Sequence, residues 1–262
     1  MTSEVRAAYQ ASARLWSEGP APVYAVLARA LVACAGGPPP GGRVLDLGAG
    51  TGVAGQAALA AGAATVVPAD VSVDMLRRGL DRGLDRGRVW PVAADAGALP
   101  FRDGCFDLVL AAFCLGHLDL PGAGLREARR VAPALAASAF AAGWNHPAKA
   151  AVDEVLGAFG YRPPPWYVTF KRDTEPWASD PVLVSRDAAA AGYTEIRLRT
   201  ITVDTGLSRP AELAAWRLGM AHVAPFVSAL SAARRASLRR AAAAAVAGTG
   251  PLMVGMLVLT AR

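Results

Sequence analysis

The amino-acid sequence predicts an α/β protein built on a mostly parallel sheet with helices on both faces. Three observations carry this. Apolar runs ending at Leu47, Ala69, Ala93, Ala111 and Phe140 alternate with helix-period segments. Glycines replace every other residue at the end of the first run, RVLDLGAGTG (43–52). The chain has 262 residues, 53% of them hydrophobic, which suits one domain with a sizeable core and is tight for two.

The elements follow in order. A helix is expected over 5–34, with apolar positions at Tyr9, Leu15, Trp16, Tyr24, Leu27 and Leu31, and GGPPPGG (36–42) is a turn-rich linker. The first strand is Arg43–Leu47, followed by a helix from Gly52 to Ala61 that Gly62 closes. The second strand is Thr65–Ala69, with a helix from Ser72; GLDRGLDRG (79–87) reads as a loop. Strands at Val89–Ala93 and Phe106–Ala111, a helix at Gly124–Val131 and a strand at Leu135–Phe140 complete the alternation. Pro91 requires the third strand to be an edge, and Pro68 conflicts with an internal second strand. Residues 141–190 are rich in aromatics and prolines, as in YRPPPWYVTF. A strand at Thr194–Val203 follows, then two helices over 208–248 broken near Pro225, and a last strand at Leu252–Thr260.

Composition excludes several classes. The net charge of +6 is carried almost wholly by arginine, and Lys149 and Lys171 are the only lysines. The basic residues are scattered, so a solvated surface is expected and no nucleic-acid partner. Cys34, Cys105 and Cys114 fit neither a disulfide framework nor a zinc site, and no metal is expected. MTSEVRAAYQ lacks a secretory apolar stretch, and PLMVGMLVLTA is about half of the roughly 20 residues of a spanning helix. A cytoplasmic protein without membrane insertion is expected, its oligomeric state open.

The glycine turn locates the chemistry. Ligands of an open parallel sheet sit beyond the carboxyl ends of its strands. Glycines there let the main chain come close to a ligand. Gly50-x-Gly52-x-x-Gly55 formally matches a dinucleotide fingerprint. Asp46 argues otherwise: buried and unpaired it would cost several kcal/mol, so it calls for water or a cation and would repel a pyrophosphate. A ligand bearing an ammonium would be attracted.

VLDLGAGTG, VVPADVSVDML, AADAGALPFRDGCFDLVLAAFCLGHL and EARRV, in this order over about 40–140, resemble the class I S-adenosylmethionine-dependent methyltransferases, in their small-molecule, ubiquinone/menaquinone-type group. The resemblance implies a Rossmann-like seven-stranded sheet with an antiparallel last strand and a helical lid. It implies S-adenosylmethionine as cofactor. Gly48, Gly50 and Gly52 would line its methionine part, and Asp46 would face its ammonium. Asp70 would receive both ribose hydroxyls. Val71, Met75 and Leu99 would enclose the adenine, with Asp95 at its amine and the Ala96 N–H at a ring nitrogen. Ala112 or Phe113 would offer a carbonyl to the ammonium. Asp103 and Asp107 are read as structural loop carboxylates. The Pro-Gly-Gly turn usual before the fifth strand is shortened to Pro133 in RRVAPALAASAF. The division is an N-terminal lid segment and linker, 1–42, and a cofactor-binding domain, 43–262, with lid insertions at 141–190 and 206–249.

His117 and His146 follow the fourth and fifth strands and are the candidates for proton removal from an acceptor; either could equally pack or hydrogen-bond its loop. His222 is a weaker third. The aromatic lid segments imply an apolar small-molecule acceptor, with O-, N- or C-methylation open. Arg234, Arg235, Arg239 and Arg240 form a solvated helix face or, less simply, a phosphate site. An RNA or protein methyltransferase, a module that binds the cofactor without turnover and a nicotinamide dehydrogenase are the competing readings. No Asn-Pro-Pro-aromatic motif supports the first.

Overall fold

The computed structural model describes residues 3–81 and 87–262. Alternation along each strand divides the core in two. Along β1 (Arg43–Leu47), Val44 packs on one face while Leu45 and Leu47 pack on the other. The sheet is completed by β2 (Thr65–Asp70), β3 (Val92–Ala93), β4 (Leu108–Ala112), β5 (Leu135–Phe140), β6 (Arg197–Asp204) and β7 (Met253–Ala261). The seven strands run in the order β3-β2-β1-β4-β5-β7-β6. Pairing is parallel from β3 to β5, and β7 runs antiparallel to both β5 and β6. The order reverses beside β1, which places a ligand crevice at the carboxyl ends of β1, β2 and β4.

Twelve helices are described: α1 (Ser3–Glu18), α2 (Pro20–Cys34), α3 (Val53–Ala60), α4 (Val73–Asp81), α5 (Pro121–Val131), α6 (Pro147–Ala158), α7 (Pro165–Thr169), α8 (Glu175–Ser179), α9 (Pro181–Ala190), α10 (Pro210–Leu218), α11 (Ala224–Ala229) and α12 (Ala232–Ala245). A π-helical turn, Phe170–Thr174, joins α7 to α8. Apolar residues of α2, α3, α6, α10 and α12 cover one face, and those of α5 and α9 cover the other. Among the described residues no helix is long and apolar enough to cross a membrane.

Several expectations are corrected. The helix expected over 5–34 is two, because Pro20 has no N–H to continue α1 and instead opens α2. The two helices expected over 208–248 are three, divided before Ala224 and again at Leu230 and Ser231, where Ser231 caps α12. The third strand shrinks to Val92–Ala93 with an isolated bridge at Val89, since Pro91 interrupts an edge. This resolves the conflict at Pro68. The Val66 N–H donates to Arg88 O at 2.9 Å, and Asp70 O accepts from the Ala94 N–H at 3.1 Å, so both residues turn their main chain toward β3. Pro68, midway between them, faces the same way, opposite the interruption at Pro91. The loop expected at 79–87 begins inside α4, and residues 82–86 lie outside those described.

The motif around EARRV is a brace. Arg130 donates to Glu127, to Asp103 at 2.8 Å and to the carbonyls of Leu99 and Phe101, while Glu127 accepts the Leu99 N–H at 2.7 Å. Asp107 accepts the Arg43 N–H at 2.7 Å. Both aspartates thus hold loops at the ends of strands.

The α1–α2 corner packs main chain to main chain on α10. A Cβ on Gly19 would collide with the Ala215 carbonyl. Gly19→Ala is expected to lower stability by about 1–3 kcal/mol in urea denaturation. Gly157→Ala, in α6 with open space around its Cβ position, should be neutral or stabilising by up to about 1 kcal/mol.

Candidate active site

The carboxyl ends of β1, β2, β4 and β5 open on a cleft of about 1510 Å³, counting the space open to solvent.

Its first half is main chain and carboxylate. Gly48 and Gly50 take φ of 65° and 55°, which a side chain would resist. A Cβ on Gly48 would also collide with the Cys114 side chain. The Gly50 N–H donates to Asp70 Oδ2 and the Ser72 N–H to Asp70 Oδ1, each at 2.8 Å. Each carboxylate oxygen therefore keeps a lone pair for a ligand. Burial raises the Asp70 pKa, and the two N–H donors oppose the rise.

Asp46, 1% exposed, accepts the Gly55 N–H in the first turn of α3 at 2.7 Å. The expectation that it needs water or a cation is corrected: a helix N-terminus already supplies a donor. Gly55 makes this approach possible, since a Cβ there would lie 2.8 Å from Val66 Cγ1. Burial still pushes Asp46 up to about 7, against the pull of the Gly55 N–H and with Asp70 adding to the rise. Met75, fully buried, lines the cleft, as do Ala112 and Phe113. Phe113 is the one non-glycine among the described residues with a positive φ, 54°, a strained conformation of the kind found at ligand sites.

Other expected residues stand apart. Gly52 caps α3 at φ 78° and does not line the cleft. Val71, Asp95, Ala96 and Leu99 are also outside its lining. Asp95 is exposed and accepts the Gly97 N–H at 2.8 Å, while Ala96 and Leu99 pack into the core on the α5 face. Their segment nevertheless adjoins Asp70, through the Ala94 N–H on Asp70 O.

The second half of the cleft is aromatic: Tyr9, Trp16 and Tyr24 from α1 and α2, and Trp144, Tyr167 and Trp216 from beyond β5. His117 belongs here. Its ring stacks on Phe170 with centroids 4.4 Å apart, and its Nε2 lies 3.3 Å from the Tyr9 hydroxyl. Burial pushes it down to about 4, so it is neutral near pH 7. His146 is corrected. Its Nδ1 accepts the Ala148 N–H, its Nε2 hydrogen-bonds Pro251 O, and it caps α6 outside the cleft. Both ring nitrogens are committed to structure. Arg234, Arg239 and Arg240 are exposed, Arg235 is half-buried, and all four are absent from the lining.

Sequence reasoning, which named His222 as a weaker candidate, missed the other polar atoms that the cleft leaves open. Thr51 Oγ1, Ser138 Oγ, Trp216 Nε1 and His222 Nε2 are buried without a hydrogen-bond partner, and all four residues line the cleft. Such atoms are rare in folded proteins, and their convergence fits a polar ligand. No local sequence pattern marks them, because folding brings them from four separate segments. Lys149 and Arg217 also line the cleft; being one of two lysines was the single hint for Lys149.

Comparison with known proteins agrees with this geometry. Residues 44–133 match the methyltransferase domain family. The chain is 44% identical over 131 residues to a demethylmenaquinone methyltransferase of Clavibacter sepedonicus, 50% of this chain and 51% of that protein. The chain spans about half the length of that curated relative. Among solved structures, phosphoethanolamine N-methyltransferase 2 of Haemonchus contortus, in complex with phosphomonomethylethanolamine and S-adenosylhomocysteine, shares the fold: TM-score 0.54, 17% identity, 90% of this chain and 52% of that one. The [4+2]-cyclase SpnF has TM-score 0.54 at 22% identity, over 90% of this chain and 80% of that one. The fold of the methyltransferase domain is thus shared by proteins titled with different reactions, and the reaction has to be argued from the site.

Two outcomes follow from the site's geometry. His146→Ala should lose about 1 kcal/mol of stability through the lost helix cap while S-adenosylhomocysteine affinity stays unchanged by calorimetry. Asp46 binds its proton more tightly folded than unfolded, so it contributes a loss of stability as pH rises from about 4 to 7, levelling above. Asp46→Asn should flatten that segment of the wild-type curve, measured by urea denaturation of the unliganded protein at a series of pH values.

Proposed function

We propose that the chain transfers a methyl group from S-adenosylmethionine to an apolar small molecule, at oxygen, nitrogen or carbon. The observation that carries this is the pairing of Asp70, with a free lone pair on each oxygen, and a bare glycine turn at one end of a cleft whose other end is aromatic. Asp70 would receive the ribose hydroxyls, because a carboxylate accepts two hydrogen bonds at once. The main chain at Gly48 and Gly50, with Asp46 and the open hydroxyl of Thr51, would hold the amino-acid end, and the Ala112 or Phe113 carbonyl would meet its ammonium. Met75 would pack on the adenine, with Val71, Asp95 and Ala96 at the rim beside Asp70. The bound cofactor supplies an electrophilic sulfonium methyl.

The chain's own contribution is placement and exclusion of water. Segments 1–34, 141–190 and 206–249 would act as the lid over the acceptor. The name of the Clavibacter relative, a demethylmenaquinone methyltransferase, supports an apolar acceptor. His117 stays the candidate for proton removal: its neutral ring can accept a proton, but its lowered pKa makes it a weak base, so orientation would carry more of the rate.

S-adenosylhomocysteine should raise the melting temperature, and a nicotinamide dinucleotide should not. Asp70→Ala should weaken S-adenosylhomocysteine by roughly 1.5–3 kcal/mol, about tenfold or more, in calorimetry. An unchanged affinity would remove the ribose assignment, and a preference for the dinucleotide would remove the methyl-transfer reading.

A further inference from the structure

The far end of the cleft carries a charge that the methyl-transfer reading leaves unused. Lys149 on α6 and Arg217 on α10 line the cleft, and Lys171 in the π-helical turn lies outside the lining but pairs with a residue that belongs to it. Two are neutralised. Arg217 donates to both oxygens of Asp153 at 2.8 and 2.7 Å, and Lys171 pairs with Glu175, whose side chain also lines the cleft. Lys149 has no ion pair among the described residues. Its ammonium lies 4.9 Å from the centre of the Trp144 ring, and Trp144 stands 6.5 Å from Trp216. The Trp216 Nε1–H is a buried donor without an acceptor. His222, on the loop after α10, adds a second unpartnered nitrogen, with its ring stacked 3.6 Å from Tyr167.

An ammonium without a carboxylate partner, in one cleft with a buried donor that lacks an acceptor, leaves two positive groups open to an anion. Burial and the charges of Arg217 and Lys171 push Lys149 down to about 8, against the weaker opposing pull of Glu175 and Asp153. All of these residues lie outside 44–133, on segments that form the aromatic half of the cleft, which fits a role with the acceptor.

We propose that the acceptor is an aromatic or polycyclic molecule bearing one anionic oxygen, and that Lys149 receives this oxygen with the Trp216 Nε1–H as a second donor. This rests on the methyl-transfer reading. The ring system would lie among the aromatic side chains while the charge meets the one cation left over. The group could be a carboxylate remote from the methylated atom or the ionised oxygen of a phenol.

The test uses 1-hydroxy-2-naphthoate and 1-naphthol as probes, titrated by calorimetry into protein saturated with S-adenosylhomocysteine. The naphthoate is expected to bind at least about tenfold more tightly than the naphthol. Lys149→Met should erase that preference, Lys149→Arg should keep most of it, and neither should change S-adenosylhomocysteine affinity more than about twofold. A nitro-substituted 1-naphthol, ionised at neutral pH while Lys149 keeps its proton, reports the phenolate source: binding tighter than that of 1-naphthol, which Lys149→Met abolishes, supports it, and its absence alongside naphthoate binding leaves the carboxylate. Equal binding of both probes by the wild type throughout, or no binding of either, overturns the proposal without needing a variant. A loss of S-adenosylhomocysteine affinity in Lys149→Met also overturns it, because Lys149 would then hold the cofactor's own carboxylate. Failure of the wild type to bind S-adenosylhomocysteine at all would instead sink the methyl-transfer reading.

Discussion

Two carboxylates at the ends of adjacent parallel strands are satisfied by main-chain N–H groups, and the site depends on that arrangement. Asp46 takes the Gly55 N–H, and Asp70 takes those of Gly50 and Ser72. The Gly55 and Ser72 bonds tie each strand end to the helix start that follows it, and the Gly50 bond ties the end of β2 to the turn after β1. Side-chain cations would have neutralised the acids, whereas amides hold them as acceptors with capacity left over. The requirement propagates outward. Gly55 must lack a Cβ to bring α3 onto Asp46, and Gly48 must lack one to pass Cys114. Among the alternating glycines, Gly48 answers to such an approach, and all three take positive φ.

The cleft joins two regions with different origins. Residues from the strand ends of 44–133 build the polar half, and residues before β1 and after β5, joined by His117, build the aromatic half. The first region is fixed by hydrogen-bond geometry and resembles proteins that differ widely elsewhere. The second is fixed by packing, where many apolar side chains can fill a given volume and sequence likeness fades. This explains how the chain shares a fold with proteins at 17% and 22% identity.

Histidines illustrate how position along the chain misleads. His117 and His146 both follow strands whose carboxyl ends open on the cleft. A histidine that begins a helix, as His146 does ahead of α6, spends one nitrogen on the free N–H groups of the first turn, and Pro251 takes the other. His222 carried little signal, yet it reaches the cleft with an unpartnered nitrogen because the loop after α10 folds back over the sheet. Pro68 is the converse case: a local conflict in the sequence disappears once its main chain is seen to face the break in the edge strand.

By itself the sequence determined the alternating strands and helices through 140, the parallel sheet and the acids and glycines at its carboxyl ends. These follow from local periodicity and from the need of the backbone for glycine in tight turns. Tertiary structure alone decided that Asp46 has a protein partner, that His146 is a helix cap, and that Thr51, Ser138, Lys149, Trp216 and His222 converge on one cleft. Those facts depend on which distant groups meet in a buried volume and on which polar atoms find a partner there. No single stretch of chain encodes either.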